Sequence, residues 1–465
     1  MPRANNLTNA RAGSRLPLLF VAMSVQLADH FTYRKLFAFV LPPIAMMLLT
    51  SVYTMVDALF ISHYVGEIAF AAVNFVFPVI MLLGGVGFML GTGGTALVAK
   101  TLGEGDALRA KRYFTQVVIL AFSLGVALAL PGMVWLPQVC GWLGGTAELM
   151  PDAVLYGRIM LGFLPCCILQ CTFQSLLVAA EKPKLAFWLS VAGGVTNLVL
   201  DFVFIVLLDR GLAGAAVATG MSQFVAGVVP FIYFCVPNSS LLRLVRTTFE
   251  LRPMLQACCN GTSELVTGVS AAFIGMLYNY RLLQFFGENG VAAYGVVMYM
   301  AFFFGSVFFG YDVGSTPLFA YHHGAQNRAE LRNLFRKSML LLSLVGLTMA
   351  GAAVGFSYPL ACLFVGYNGL LTELAQYAFC AYALCFVLQG YNIFASGLFT
   401  AMNNGIISGA IAFMRTLGFQ TAAVLLLPLL WGAYGIWWSA ALAEVAALVV
   451  SVCLVLGFRK RYGYL

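Results

Sequence analysis

Residues 66–103 read GEIAFAAVNFVFPVIMLLGGVGFMLGTGGTALVAKTLG, and residues 287–324 read GENGVAAYGVVMYMAFFFGSVFFGYDVGSTPLFAYHHG. Laid over one another without a gap, at an offset of 221 residues, they share 13 identities in 38 positions. Gly66-Glu67 falls on Gly287-Glu288, Ala71-Ala72 on Ala292-Ala293, and Val76 on Val297. Gly84, Val86, Phe88, Gly93, Thr95, Leu97, Ala99 and Gly103 fall on Gly305, Val307, Phe309, Gly314, Thr316, Leu318, Ala320 and Gly324. The same offset carries Gly211-x-x-Gly214 onto Gly432-x-x-Gly435, far outside the quoted window. The chain is a duplication, and the duplicated unit is almost free of charge over some thirty residues.

That poverty of charge extends to the whole chain. Of 465 residues, 62% are hydrophobic and 9% charged, with 25 Lys+Arg and 17 Asp+Glu. A soluble domain carries roughly 25% charged residues, so soluble enzymes, nucleic-acid binders and disordered scaffolds are excluded despite the net charge of +8. Reading for runs of about 20 apolar residues yields twelve spans: 36–62, 69–98, 113–136, 153–180, 185–208, 212–236, 254–285, 290–321, 336–358, 374–401, 406–430 and 433–457. Backbone polar groups cannot face hydrocarbon unpaired, so the spans are helices. Pro42 and Pro43 in the first and Pro165 in the fourth mark kink sites.

Twenty-one of the 25 basic residues fall on one side: at the amino-terminal segment and in the loops around Lys100–Arg112, Lys182–Lys184, Arg243–Arg252, Arg328–Lys337 and Arg459–Arg461. By the positive-inside rule that side is cytoplasmic and holds both termini. The expected organisation is a cytoplasmic lead-in over 1–33, a first lobe over 34–236 (six helices), a cytoplasmic linker over 237–253, a second lobe over 254–458 (six helices) and a cytoplasmic tail over 459–465. With six spans each, the halves enter the membrane the same way, and a pseudo-two-fold axis runs along the membrane normal. Met23 is a candidate for the true start. The Asn-x-Ser/Thr triplets at Asn6, Asn238 and Asn260 are chance matches on this topology. The 11 cysteines read as small packing residues; Cys140 and Cys362 are the one pair worth testing for a disulfide. His322 and His323 fall at the cytoplasmic end of the eighth span, where a solvated loop is expected.

Five acids lie inside spans, where an ionisable group is costly and points to function: Asp57, Asp201, Glu264, Asp312 and Glu444. At about 1.5 Å per helical residue, Asp57 lies roughly 30 Å and Asp201 roughly 24 Å from the cytoplasmic ends of their spans. Their depths are compatible, Asn197 precedes Asp201 by one turn, and Tyr53 precedes Asp57 by one turn. Two carboxylates close together in low dielectric must share a proton, stay protonated or hold a cation. Glu264 and Asp312, each roughly 15 Å from the cytoplasmic side, form a second candidate pair. Arg415 and Glu444 read as a structural ion pair between adjacent helices.

Several of these residues stand in motifs that resemble the multidrug and toxic compound extrusion (MATE) family. Pro42-Pro43 followed by Tyr53-x-x-x-Asp57, then Gly91-Thr-Gly-Gly-Thr-Ala-Leu-Val-Ala-Lys100, looks like the start of such a transporter. Asn197-Leu-Val-Leu-Asp201, then Gly211-Leu-Ala-Gly214, looks like its fifth and sixth helices. Gly432-Ala-Tyr-Gly435-Ile-Trp-Trp resembles the beginning of its twelfth. The resemblance covers roughly residues 34–458. It implies an all-α integral membrane fold of twelve helices in two pseudo-symmetric lobes around a V-shaped cleft, with export of organic cations driven by a cation gradient. It maps a cation site onto Asp57, Asn197, Asp201 and Thr219, with Tyr53 nearby. Glu264 corresponds to a second-lobe glutamate used in another branch; the tenth helix here offers Gln389 and Asn392 but no acid at mid-span.

The expectation is therefore a multi-pass plasma-membrane antiporter, not an enzyme, exporting lipophilic cationic compounds at the expense of H+ or Na+. It needs no cofactor, and Na+ at Asp57, Asn197 and Asp201 is the one metal ion it admits. Its partners are small organic cations and membrane lipids rather than nucleic acid, and it works as a monomer, with a hinge at Pro42 and Pro43. Cation–π attraction from cavity-facing aromatics suits such substrates. The alternative is a flippase of lipid-linked saccharides, which the scarcity of Lys and Arg in the central spans disfavours. A major-facilitator carrier lacks its Asp-Arg-x-Gly loop here, and an intramembrane aspartyl protease lacks its Gly-x-Gly-Asp partner. No Gly-x-x-x-x-Gly-Lys-Ser/Thr loop is present for direct ATP hydrolysis.

Overall fold

The computed structural model describes residues 25–365 and 369–465; Met23, Asn6, Arg3, Arg11 and Arg15 lie outside the described residues. Within them the regular structure is helical. The first lobe comprises α1 (Tyr33–Phe60, continued as a π-helical turn over Ile61–Val65), α2 (Glu67–Gly103), α3 (Ala107–Trp142), α4 (Met150–Gly162), α5 (Leu164–Ala179), α6 (Pro183–Asp201, continued as π-helix over Phe202–Leu207) and α7 (Gly211–Cys235). The second comprises α8 (Leu251–Gly324), α9 (Arg328–Gly355), α10 (Ser357–Val365), α11 (Gly369–Ala401), α12 (Gly405–Phe413, with a π-helical segment over Met414–Phe419), α13 (Gln420–Trp431) and α14 (Gly435–Tyr462).

Twelve crossings result once two breaks are read correctly. α8 is nominally 74 residues long, but Gly287 within it has φ 62° and ψ −152°, which turns the chain back and separates two spans. Its counterpart at the repeat offset, Gly66, has φ 120° between α1 and α2. Only glycine takes such a conformation without a Cβ penalty, so the same hairpin stands in both halves. α4 and α5 form one span bent by 57°. Pro165 lies in the first turn of α5, where it has no N–H to continue the ladder from α4. Pro42 and Pro43, by contrast, lie inside a continuous α1.

Several helices extend beyond their apolar cores into charged sequence. α3 starts at Ala107 because Asp106 caps it, accepting from the Arg109 N–H at 2.9 Å, and α9 starts at Arg328 because Asn327 accepts from the Glu330 N–H at 3.1 Å. The expected solvated loop at His322-His323 is corrected for the same reason. α8 continues helically through Gly324, and His322 is buried, with its ring edge-on to Phe31 and Tyr321. The disulfide expectation is also corrected, since Cys140 and Cys362 are both free thiols. Cys140 is fully buried and Cys362 partly so.

Among the described residues the cross-lobe packing is concentrated in the half that bears the basic loops. A continuous core joins first-lobe residues such as Leu90 and Phe114 to Met254, Ala257, Phe319 and Leu398 of the second. A separate core around Ile274, Tyr278, Tyr294, Ala375 and Trp437 fills the opposite end of the second lobe alone. The seam lies at the end bearing the basic loops. There Gly103 of α2 faces the Tyr321 carbonyl of α8, while Gly324 of α8 faces the Lys100 carbonyl of α2. Small residues let transmembrane helices approach this closely. Further along α2, Gly85 lies against Leu265 and Phe88 against Phe309, with ring centroids 5.7 Å apart.

Candidate coupling site in the first lobe

Two π-helical segments frame the site. α1 loses its α-helical register at Ile61, one turn after Asp57, and α6 loses its own at Phe202, immediately after Asp201. Insertions of this kind re-aim side chains and recur at functional sites. Asp57 faces Asp201 of α6, Asn197 one turn earlier, and Thr219 of α7. Asn197 Nδ2 donates to Thr219 Oγ1 at 3.5 Å. Asp201 and Asn197 are 1% and 3% exposed. Asp57 Oδ1 and both carboxylate oxygens of Asp201 are buried without a hydrogen-bond donor among the described residues. Buried charge without a partner is strongly disfavoured. The arrangement therefore calls for a proton or a cation to enter it.

The structure adds one residue that the sequence did not single out. Tyr156 of α4 is 3% exposed and faces Asp57, Asp201 and Thr219. A lone tyrosine in an apolar helix carries no spacing signal, and only the bend at Phe163 sets α4 beside α7. Tyr53 is placed one turn towards the basic end instead. Its ring packs against Gly194, and it faces Thr50, Gln170 and Cys171 rather than the two carboxylates. Among the described residues no group of three or more His, Cys, Asp or Glu forms a metal cluster. A monovalent ion here would take neutral oxygens from Asn197, Thr219 and Tyr156 beside the carboxylates.

The second lobe is not a copy of this chemistry. At the repeat offset Asp57 becomes Tyr278, Asp201 becomes Ala422 and Thr219 becomes Ala440. Tyr278 stacks on Tyr294 with centroids 4.8 Å apart, so aromatic surface occupies the equivalent place. The second lobe's charges lie elsewhere. Arg415, in the π-helical segment of the eleventh span, reaches Glu444 of α14 with Nε 2.9 Å and 3.2 Å from its two carboxylate oxygens. Asn392 Nδ2 donates to Glu444 Oε2 at 2.7 Å and is itself held by Ser451, whose Oγ donates to Asn392 Oδ1 at 2.9 Å. The expected pair is thus present and anchored by a third helix. Glu264 faces Arg415, and Asp312 faces Glu264. The Asp312 carboxylate packs against Gly397, with Oδ1 lacking a donor among the described residues.

Two duplicated six-helix lobes, packed together toward the basic end and each holding buried acids within its spans, define a multi-pass membrane transporter. The chain belongs to the MatE family, whose model matches residues 42–203 and 265–424, two stretches offset by close to the repeat length. It is similar to the multidrug export protein MepA of Staphylococcus aureus (strain NCTC 8325 / PS 47), with 22% identity over 92% of this chain and 94% of that protein. A multidrug export protein MepA of Staphylococcus haemolyticus (strain JCSC1435) matches with the same identity and coverage. Among solved structures, a MATE transporter in the straight conformation superposes with a TM-score of 0.87 at 20% identity, covering 92% of this chain and 97% of that one. An outward-facing multidrug resistance MATE family transporter of the MOP superfamily gives 0.85 at 21% identity, covering 92% and 96%.

Proposed function

We propose that this transporter exports lipophilic, cationic compounds in exchange for H+ or Na+, and that the coupling ion binds at Asp57 and Asp201. The observation that carries this reading is the pair of facing carboxylates with three buried, donorless oxygens. Such a pair is stable when protonated or when it coordinates a cation, and costly when both acids are ionised and empty. Occupancy of the site is thus tied to the ion supply on the side to which the lobes open. The relatives named multidrug export proteins support a broad range of small organic substrates.

On this reading the basic end is cytoplasmic and the opposite end faces outward. A proton or Na+ entering from outside neutralises the pair and changes the packing of α1 against α6 and α7. Pro42 and Pro43 leave the carbonyls of Ala38 and Phe39 without helical donors, which makes that turn the compliant point of α1. Glu264 and Asp312 are a second coupling candidate, but Arg415 already supplies positive charge beside Glu264. The reading therefore places the driving ion in the first lobe, with the protein active as a monomer. The test is uptake of a fluorescent cation such as ethidium by proteoliposomes under separately imposed Na+ and H+ gradients. Transport driven by one gradient is expected, and transport indifferent to both would refute ion coupling.

A further inference from the structure

The eight residues before α1 cross the basic end as a strap, with one turn closed by the Asp29 N–H on the Gln26 carbonyl, and are fastened to both lobes. Leu27 is 1% exposed, and its N–H donates to Glu181 Oε1 at 2.7 Å, in the turn between α5 and α6 of the first lobe. Glu181 holds φ 59°, a left-handed conformation that costs energy in a residue with a Cβ. Four residues along, Phe31 is fully buried against the second lobe. Its N–H donates to Glu330 Oε1 at 2.9 Å, and its carbonyl accepts from Asn333 Nδ2 at 2.9 Å and from Lys337 Nζ. His30 Nδ1 lies 2.7 Å from Glu330 Oε2. Glu330, Asn333 and Lys337 stand on successive turns of one face of α9.

Buried backbone N–H and C=O groups must find partners. Here the partners are side chains rather than a neighbouring strand, and they come from opposite lobes. The strap therefore spans the seam, with one anchor on each side. Thr32 then caps α1, accepting from the Lys35 N–H at 3.3 Å, so the strap runs directly into the helix that carries Asp57. We propose that this strap is a latch. It holds the lobes together at the basic end and must let go of Glu181 or of the Glu330–Asn333 face before that end can open. The proposal goes beyond ion coupling and does not depend on which ion is used.

The two anchors supply the test. Full-length protein in lipid nanodiscs is compared with Glu181→Ala and Asn333→Ala by hydrogen–deuterium exchange. Glu330→Gln serves as the conservative control, because its amide oxygen can still accept from the Phe31 N–H, and it should raise exchange less than either alanine variant. A latch can be broken from either end, so each alanine variant is expected to raise exchange about tenfold at 89–103 of α2 and 254–261 of α8, the scale set by losing one good hydrogen bond. Among the described residues, neither segment hydrogen-bonds to Glu181, Glu330 or Asn333. Exchange in 115–121 of α3, inside the first lobe, should stay unchanged. Faster exchange confined to 25–36 and the mutated turn would overturn the latch. An equal rise in 115–121 would overturn it too, because the effect would then be general unfolding.

Discussion

Gly103 and Gly324 are equivalent residues of the duplicated halves, and each is pressed against the other's helix. A methyl on Gly103 would strike the Tyr321 carbonyl, and a methyl on Gly324 would strike the Lys100 carbonyl. The pseudo-two-fold axis passes between these contacts, so the seam is sealed by the same interaction used twice. Gly103→Ala and Gly324→Ala are therefore expected to cost similar amounts, about 1–3 kcal/mol each from overpacking. Gly275→Ala, in a helix where nothing lies within 4 Å, should be neutral or stabilising by up to about 1 kcal/mol. Thermal unfolding in detergent distinguishes the three.

Asp57→Asn and Asp201→Asn should each abolish gradient-driven transport while leaving the fold intact. Removing the Asp201 carboxylate, whose two buried oxygens have no donor among the described residues, should stabilise the resting protein by about 1–3 kcal/mol at neutral pH. Ethidium extrusion from everted vesicles and the unfolding midpoint report the two effects. Normal extrusion by either variant would sink the proposed site.

Tyr156→Phe keeps the ring that packs α4 and deletes the hydroxyl facing Asp57, Asp201 and Thr219. If that oxygen helps hold the coupling ion, the ion concentration for half-maximal transport should rise about tenfold, as for one lost hydrogen bond to a charged group. The maximal rate should change little. An unaltered ion dependence would reduce Tyr156 to a packing residue.

Arg415 and Glu444 are both largely buried, with side chains 14% and 13% exposed. Arg415→Met or Glu444→Gln alone strands a buried charge and should cost about 3–5 kcal/mol. The double variant Arg415→Met/Glu444→Met should recover most of that loss, since an apolar pair of similar volume replaces the ion pair. A double variant as unstable as the single ones would mean that Asn392 and Glu264 depend on the charges independently.

Much of the fold was legible because hydrocarbon leaves few choices. Apolar runs bounded by charge must be helices, and the offset of 221 residues exposes the duplication in the sequence itself. The span ends were less legible, because Asp106 and Asn327 extend α3 and α9 into charged sequence that an apolar window rejects. The site was legible in part. Asp57, Asn197 and Asp201 announced themselves by being polar in spans, and Arg415 with Glu444 did likewise. Thr219 came through family resemblance, and Tyr156 was invisible, because threonine and tyrosine are ordinary in apolar helices. His322 departs from the expected solvated loop: a histidine at a span end normally meets water, whereas Phe31 and Tyr321 cover this one.

The sequence by itself determined that the chain lives in a membrane, that it crosses twelve times as two related halves, and which acids it buries. Those are consequences of solvent and covalent order, which one-dimensional patterns record. Tertiary structure alone decided that the halves close at the basic end, that the Asp57 carboxylate faces an Asp201 carboxylate whose two oxygens lack donors among the described residues, and that residues before the first helix tie one lobe to the other. Each of these depends on which helices pack side by side, and packing is fixed by contacts between residues up to 300 positions apart, as His30 and Glu330 are.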